Sequence, residues 1–592
     1  MPSTTVRPAL SVLSDGVDSY ASFLQPGGEL VDPIVGGPTQ YGTPYHAWSN
    51  AVLAADGDPD QRDDRISRAL RGLTAAVAHV ADPTAPATWS GFDRRTGAAM
   101  SNGNHRDFFW PPILKTWLLL GQLGADSDRL ESLWQQIRGV ELSASFRAVP
   151  PSNWAMVWCS GEWLRIREGG STHTKAEFDD WLEQFFAEGF DVDLGLYVER
   201  GLPNAYDLFT RVHLAEICAN GYDGRHRARI GAFLTQGLRR SLEMQLSDGS
   251  IASGFRSAGQ TWTLGAQVAF FTYARQLGLG TDQDQRDAAV AAVRTCANLQ
   301  LWQRPGGEPF SPVQNLQPPW RRIGYERYTA DGHYANLALA FLASAVHAGF
   351  TGTDVGPGSL DSRPSIVRVE QAPTFRAAAH AGRISIAVQA QADQVYDGNG
   401  LVDVTFGAGR VLQIASSAQH LSGGPWFNPG LGVRQAPGRT PTVPISWLTQ
   451  TLTGAGLQAL TGRGIALETT LSVEDDHPLH GWTYRLRATV QETGVSVVEE
   501  TPGHPHHPVL FLPYPVDLGA GLTTTVTWTR TGARLELAGP NGPEWVEVVV
   551  DAAIVGRLDL NRDYSNRRGE CGLIRIDLAG PAEKISWRLL SG

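Results

Sequence analysis

Only four cysteines (Cys159, Cys218, Cys296 and Cys571) occur in the 592 residues, far apart and without a CxxC spacing, so neither a disulfide framework nor a thiolate zinc site is expected. Three of them fall in apolar helical contexts and read as buried thiols. No run of about 18 apolar residues is present, so no membrane partner is expected, and the leading MPSTTVRPALSVLSDG lacks a continuous apolar stretch. The expected location is therefore cytoplasmic, or secreted if a leader has been removed. Lysine-rich or arginine-rich runs are also missing, and the net charge is -11 with a pI near 5.8, which argues against nucleic acid as a partner. His504, His506 and His507 in TPGHPHHP have the count of a metal site, but the prolines and the lack of nearby carboxylates argue against one. No metal and no cofactor is expected, and a homo-oligomer stays open.

The length exceeds what one hydrophobic core accommodates, so two large domains are expected. Up to about residue 355, apolar residues recur at helical spacing near 11 to 24, 43 to 55, 62 to 81, 110 to 122, 127 to 144, 153 to 168, 174 to 189, 203 to 220, 225 to 246, 260 to 278, 283 to 301 and 331 to 349. Turn-rich joints such as GADSD, VPPSN and NGYDG make neighbouring helices antiparallel, and such a series closes economically into an (α/α) toroid with a central cleft. An open solenoid is the rival, but no repeat period supports it. Residues 356 to 365 read as a Gly/Pro/Ser/Asp-rich linker. From 366 to 592, β-formers alternate between Gly, Pro and Asp turns (RISIAVQAQA, WTYRLRATV, TTTVTWTR, WVEVVVDA, KISWRLL), predicting an antiparallel β-sandwich. The fold class is thus α+β multidomain, a toroid followed by a sandwich.

The densest chemistry lies in YERYTADGHYANLALAF, where Tyr325, Glu326, Arg327, Tyr328, Asp331, His333 and Tyr334 crowd ten residues ahead of an apolar helix. Such side chains can deprotonate a carbon acid, protonate a leaving oxygen and hold a carboxylate, although Asp331 also suits a helix cap. Further patches sit at helix starts: Asn104, His105, Arg106 and Asp107; Asn153 and Trp154, with Glu162 on the same helix; Asn204, Tyr206, Asp207, Arg211 and His213. Capping fits Asn153 as well, and Asp207 with Arg211 also reads as a surface ion pair. A Gly/Ser loop carries Arg256 toward Gln260, Trp262 and Thr263, and Arg321 and Arg322 precede the dense cluster; with Arg327 they would suit a planar carboxylate. NRDYSNRRGE, with Tyr564, Asn566, Arg567 and Arg568, reads as a polar loop able to close over the cleft. Eighteen tryptophans fit the apolar faces of sugar rings.

Asn153 with Trp154, the Asp248-Gly249-Ser250 loop leading to Trp262, Thr263 and Gly265, and the DGHY element from Asp331 to Tyr334 stand in an order that resembles the polysaccharide lyases of the hyaluronate/chondroitin and heparinase II/III type. The chain looks closer still to an uncharacterised bacterial family of toroid proteins with NW, DG-x-x-x-x-GRS-x-T and GxxYxxLAxxFL patterns. The resemblance covers most of residues 100 to 350. It implies β-elimination at a uronic acid of an oligo- or polysaccharide. Asn153 falls on the family's carboxylate-binding asparagine, a tyrosine or histidine takes the proton, and a tyrosine protonates the departing oxygen. Where hyaluronate lyases keep His and Tyr after the DGS loop, this chain has Ser253 or Gly254 and Trp262. The acid and base are then expected among His105, Tyr206, His213, Tyr325, Tyr328, His333 and Tyr334, with Asn153, Trp154, Asn204, Arg256, Trp262, Arg322 and Arg327 binding the saccharide. The alternative is a glycoside hydrolase using two of Glu162, Asp207, Glu308, Glu326 and Asp331. A non-catalytic saccharide-binding protein is the third reading.

Overall fold

In a computed structural model of the chain, residues 6–39, 41–82, 106–199, 204–251, 256–326, 329–356, 359–361, 363, 365–371, 374–390, 398–416, 418–420, 426–434, 442–448, 456–461, 463–471, 479–540, 542–566 and 568–592 are described. Thirteen α-helices fill the first part: α1 Ala9–Asp18, α2 Gly42–Asp56, α3 Arg62–Ala81, α4 Trp110–Gln122, α5 Ser127–Arg138, α6 Leu142–Ser145, α7 Asn153–Arg167, α8 Lys175–Gln184, α9 Asn204–Ala219, α10 Arg227–Met244, α11 Thr261–Gln276, α12 Asp282–Leu299 and α13 Asp331–His347. Helices α2, α4, α7, α9, α11 and α13 each pack on the next, and α13 closes back onto α2. The inner helices are buried almost all round, as α11 is from Thr261 to Ala274. Outer helices bury one stripe, as α5 does with Leu130, Leu133 and Ile137. Because each inner helix returns through an antiparallel outer one, all inner N-termini gather at one end of the ring.

Local chemistry sets these boundaries. Asp126 and Ser152 cap α5 and α7 by accepting from the N–H groups of Arg129 and Ala155, and Thr174 with Glu177 forms a capping box on α8. Glycine permits the closure between α13 and α2, since a Cβ on Gly42 would run into the carbonyl of Gly332. The cap of α13 comes from far along the chain: Asp32 accepts from the backbone N–H of Gly332 at 2.6 Å and from Ile34 and Val35 at 2.9 Å each. Asp331 is therefore not the cap; it pairs with Arg304 at 2.7 Å and accepts from the Tyr325 hydroxyl at 2.5 Å.

Beyond α13 the described strands form antiparallel sheets of five, seven and eight strands. In the five-stranded sheet, strands Arg376–Ala381, Ile384–Gln389 and Gly400–Thr405 are buried along their whole length, covered by α10 on one side and by the eight-stranded sheet on the other. The eight-stranded sheet alternates buried and open positions, as in Thr483–Gln491, so one face meets solvent. Charged side chains fasten the ring to the sheets: Arg240 reaches Asp207 and Glu370 at 2.7 Å each, and Arg568 lies 3.3 Å from Asp403 and 3.7 Å from Asp248. Tyr564, Asn566 and Arg568 belong to a strand end and tight turn, where Asn566 accepts from the N–H groups of Arg568 and Gly569, rather than to a loop over the ring; Arg567 lies outside the described residues. His504 stacks on Trp482, His506 bonds Thr501, and among the described residues no cluster of three His, Cys, Asp or Glu could hold a metal. No helix among them is long and apolar enough to cross a membrane.

Candidate active site

The starts of the inner helices carry most of the side chains singled out above. Tyr41, just before α2, stacks on Phe108 at 4.7 Å and meets the rings of His333 and Tyr334 at 5.1 and 6.2 Å. Phe108 in turn touches Trp154 at 5.8 Å and Phe209 at 5.4 Å, and Phe209 meets Trp262 at 5.3 Å. His333 and Tyr334 are thus linked across the ring to the Asn153–Trp154 corner through two aromatic side chains. His333 is buried and Tyr334 nearly so, whereas Trp154 and Tyr206 are half-exposed. Trp262 and Gln260 are buried, and neither the indole N–H nor the Gln260 side-chain amide has a hydrogen-bond partner in the fold.

Because Ser152 caps α7, the Asn153 amide is released from that task and donates to the carboxylate of Glu199. Arg256 approaches the same carboxylate at 3.5 Å and lies 4.9 Å over the ring of Tyr206. Burial pushes the Glu199 carboxyl above the ordinary carboxylate range, against the lowering pull of Asn153 and Arg256. Burial likewise raises the Tyr334 phenol, helped by Tyr41, Tyr206 and Glu326, so that it stays protonated near neutral pH. Glu326 accepts from the backbone N–H of Ser257, which ties the Arg256 loop to the segment leading into α13.

Other anticipated residues serve elsewhere. Glu162 is buried against Arg165 at 2.9 Å and accepts from the indole of Trp110 at 2.9 Å. The Asp207–Arg211 pair is buried rather than superficial; burial would raise the Asp207 carboxyl, but Arg211 and Arg240 hold it below its usual range. With Asp331 on Arg304, three of the five candidate carboxylates are committed to arginines and Glu308 is exposed, which leaves Glu326 and the unanticipated Glu199. Arg106 donates to the carbonyls of His79 and Asp82, and Asp107 accepts from Ala148, so that patch braces a loop. Arg321 turns to Gln317 and Glu570, and Arg322, at φ 53°, sits near Asp32 and Tyr325. His105, Arg327, Tyr328 and the side chain of Asn204 lie outside the described residues.

His213 lies one layer deeper, under Phe209 at 4.9 Å and Phe341 at 5.6 Å. Its Nδ1 faces Ser160 Oγ at 3.2 Å and Glu216 at 3.4 Å, and Glu216 accepts from Lys115 at 2.6 Å and from the Tyr273 hydroxyl at 3.1 Å. Burial opposes ionisation of Glu216, but Lys115 and His213 lower its carboxyl from 4.5 to about 2. As pH falls the unfolded chain protonates here first. The stabilisation is therefore complete above about pH 4.5 and is lost as pH drops through about 2, some 3 kcal/mol in all. In Glu216→Gln this part of the acid dependence should vanish, and melting curves should show the gap from wild type narrowing between pH 7 and pH 3.

No protein-family model and no curated protein matches the sequence. Among solved structures, a mutant form of the Streptomyces coelicolor A3 chondroitin AC lyase aligns over 98% of this chain and 79% of its own, at 12% identity and a TM-score of 0.50. A Paenibacillus xanthan lyase aligns over 98% of this chain and 56% of its own (10% identity, TM-score 0.49). A glycosyl hydrolase family 88 protein from Bacteroides vulgatus covers 58% of this chain and 98% of its own (11% identity, TM-score 0.37). At these identities the likeness concerns the fold: the chain is built as an (α/α) toroid followed by an antiparallel β-sandwich, the architecture of the polysaccharide lyases.

Proposed function

We propose that this is a carbohydrate-active enzyme, a lyase that cleaves a uronic-acid-containing oligo- or polysaccharide by β-elimination at the N-terminal end of the inner helix ring. The observation that carries the reading is the convergence of the Asn153 amide and the Arg256 guanidinium on a single carboxylate, that of Glu199. An amide and a guanidinium that together hold one carboxylate can take that of a uronate in exchange for Glu199, and the positive ends of the inner helices favour an anion there. Neutralising that carboxylate acidifies the proton on the adjacent carbon. His333 accepts the proton, and Tyr334, held protonated by burial, donates one to the departing glycosidic oxygen. Trp154 and Tyr206 offer half-open aromatic faces for the sugar. A double bond forms as the carbon–oxygen bond breaks, and the proton count balances between His333 and Tyr334.

A glycoside hydrolase reading rests on Glu199, whose raised pKa is what a general acid requires. Comparing a uronate oligosaccharide with its carboxyl-reduced counterpart separates the two. The lyase reading expects the reduced sugar to be neither cleaved nor tightly held, and Arg256→Ala to weaken the uronate alone. Equal cleavage of both sugars would instead favour the hydrolase.

A further inference from the structure

The opposite end of the ring carries a second cavity, of about 270 Å³, where the C-termini of α4, α7, α9, α11 and α13 meet. This lies just below the usual span of ligand sites, roughly 300–1,000 Å³, and suits one sugar ring rather than a chain. Its floor is the network beneath the aromatic layer. Lys115, with 11% of its side chain exposed, donates to Glu216 at 2.6 Å and to Ser344 at 3.1 Å, and its Nζ lies 4.8 Å over the ring of Trp48. Ser344 is saturated, because it also accepts from the Trp48 indole at 3.0 Å and donates to Ala340. An ammonium has three N–H groups, and among the described residues Lys115 donates hydrogen bonds to two acceptors, Glu216 and Ser344. Gln122, Asn220 and Gln276 surround the opening with amides, and Leu118, Leu119 and Ala348 supply apolar wall.

Electrostatics decides the ligand class. Each cation lining the cavity has its own carboxylate, Glu216 for Lys115 and Glu168 for Arg167, and the His347 imidazole lies 3.3 Å from Asp56. No positive charge is left over for an anion, and the helix C-termini bring the negative ends of their dipoles, which repel acids and accept hydrogen bonds from hydroxyls. We propose that this cavity is a second saccharide site, specific for a neutral sugar ring or cyclic polyol, which seats a hydroxyl oxygen on the third N–H of Lys115 and its remaining hydroxyls on the amides of the opening. The two ends of one ring are then opposite in preference, acidic sugar at the helix starts and neutral sugar at the helix ends.

Titration calorimetry of the full chain with glucose, N-acetylglucosamine and myo-inositol, and with glucuronate for comparison, tests this. At least one neutral ligand should bind saturably, Arg256→Ala should leave that binding unchanged, and glucuronate should not compete for it. Gln276→Trp and Gln122→Trp, which fill the opening from exposed positions without touching the core, should each weaken it by about tenfold or more. Absence of saturable binding by all three neutral ligands, loss of binding in Arg256→Ala, or undiminished binding in both tryptophan variants would overturn the proposal. Cleavage at the other end plays no part in these readouts, so their failure leaves the lyase reading standing.

Discussion

Replacing Tyr334 by phenylalanine is expected to lower kcat by roughly 10²- to 10⁴-fold, the range for loss of a positioned proton donor, while the dissociation constant for a uronate oligosaccharide stays within about twofold. The side chain stands at the start of α13 against Tyr41, and phenylalanine keeps its shape and most of its packing. The hydroxyl is what changes. Tyr41→Phe should cost less, because Tyr41 acts through its contact with Tyr334. Stopped-time assays paired with calorimetry would read both quantities. A Tyr334→Phe protein with unchanged turnover would remove the residue from the mechanism, and tight binding with no turnover even in wild type would favour a non-catalytic saccharide binder.

The second large effect concerns the joint between ring and sheets. Arg240 is buried between Asp207 and Glu370, and Glu370 is also 3.4 Å from Arg368. Arg240→Met leaves two buried carboxylates short of a partner, and such a loss costs about 3–5 kcal/mol. Replacing Glu370 by leucine in the same protein should recover part of that loss, since the carboxylate of the pair that then stays buried is Asp207, still paired with Arg211. Urea unfolding of the single and double variants measures both. Strict additivity of Arg240→Met and Glu370→Leu would mean that the two side chains do not interact as their geometry indicates.

Much of the helical half is legible in the sequence, because its signals are local. The stretches 62 to 81 and 110 to 122 coincide with α3 and α4, where apolar periodicity is backed by Pro111 and Pro112 in the first turn of α4. The predicted single helix from 127 to 144 is instead α5 and α6, parted by Gly139, Val140 and Glu141. The strand His507–Asp517 was obscured by Pro508, Pro513 and Pro515; the latter two are tolerated where only the neighbouring strand Gly569–Leu578 still pairs with it.

The site is less legible, because its members meet only through closure of the ring. Asn153 and Arg256 are conspicuous in the sequence, but the residue on which they converge is not. Glu199 follows a two-residue strand pair, Phe190–Asp191 with Leu196–Tyr197, turned at Gly195, and so short a hairpin has no periodicity to announce it. The acidic candidates Glu162, Asp207 and Asp331 read as chemistry because a carboxylate on a helix looks the same in sequence whether it faces a cleft or an arginine. Arg165 and Arg211, three and four residues from Glu162 and Asp207, are visible from local spacing, whereas Arg240 and Arg304, 33 and 27 residues from Asp207 and Asp331, are not.

The most direct measurement is the ultraviolet spectrum of the purified chain mixed with defined uronate oligosaccharides. β-Elimination leaves a double bond conjugated with the carboxylate, so a new ultraviolet absorbance should grow in step with each bond cut and disappear in Tyr334→Phe. New reducing ends without that absorbance would contradict the account and turn the site over to hydrolysis.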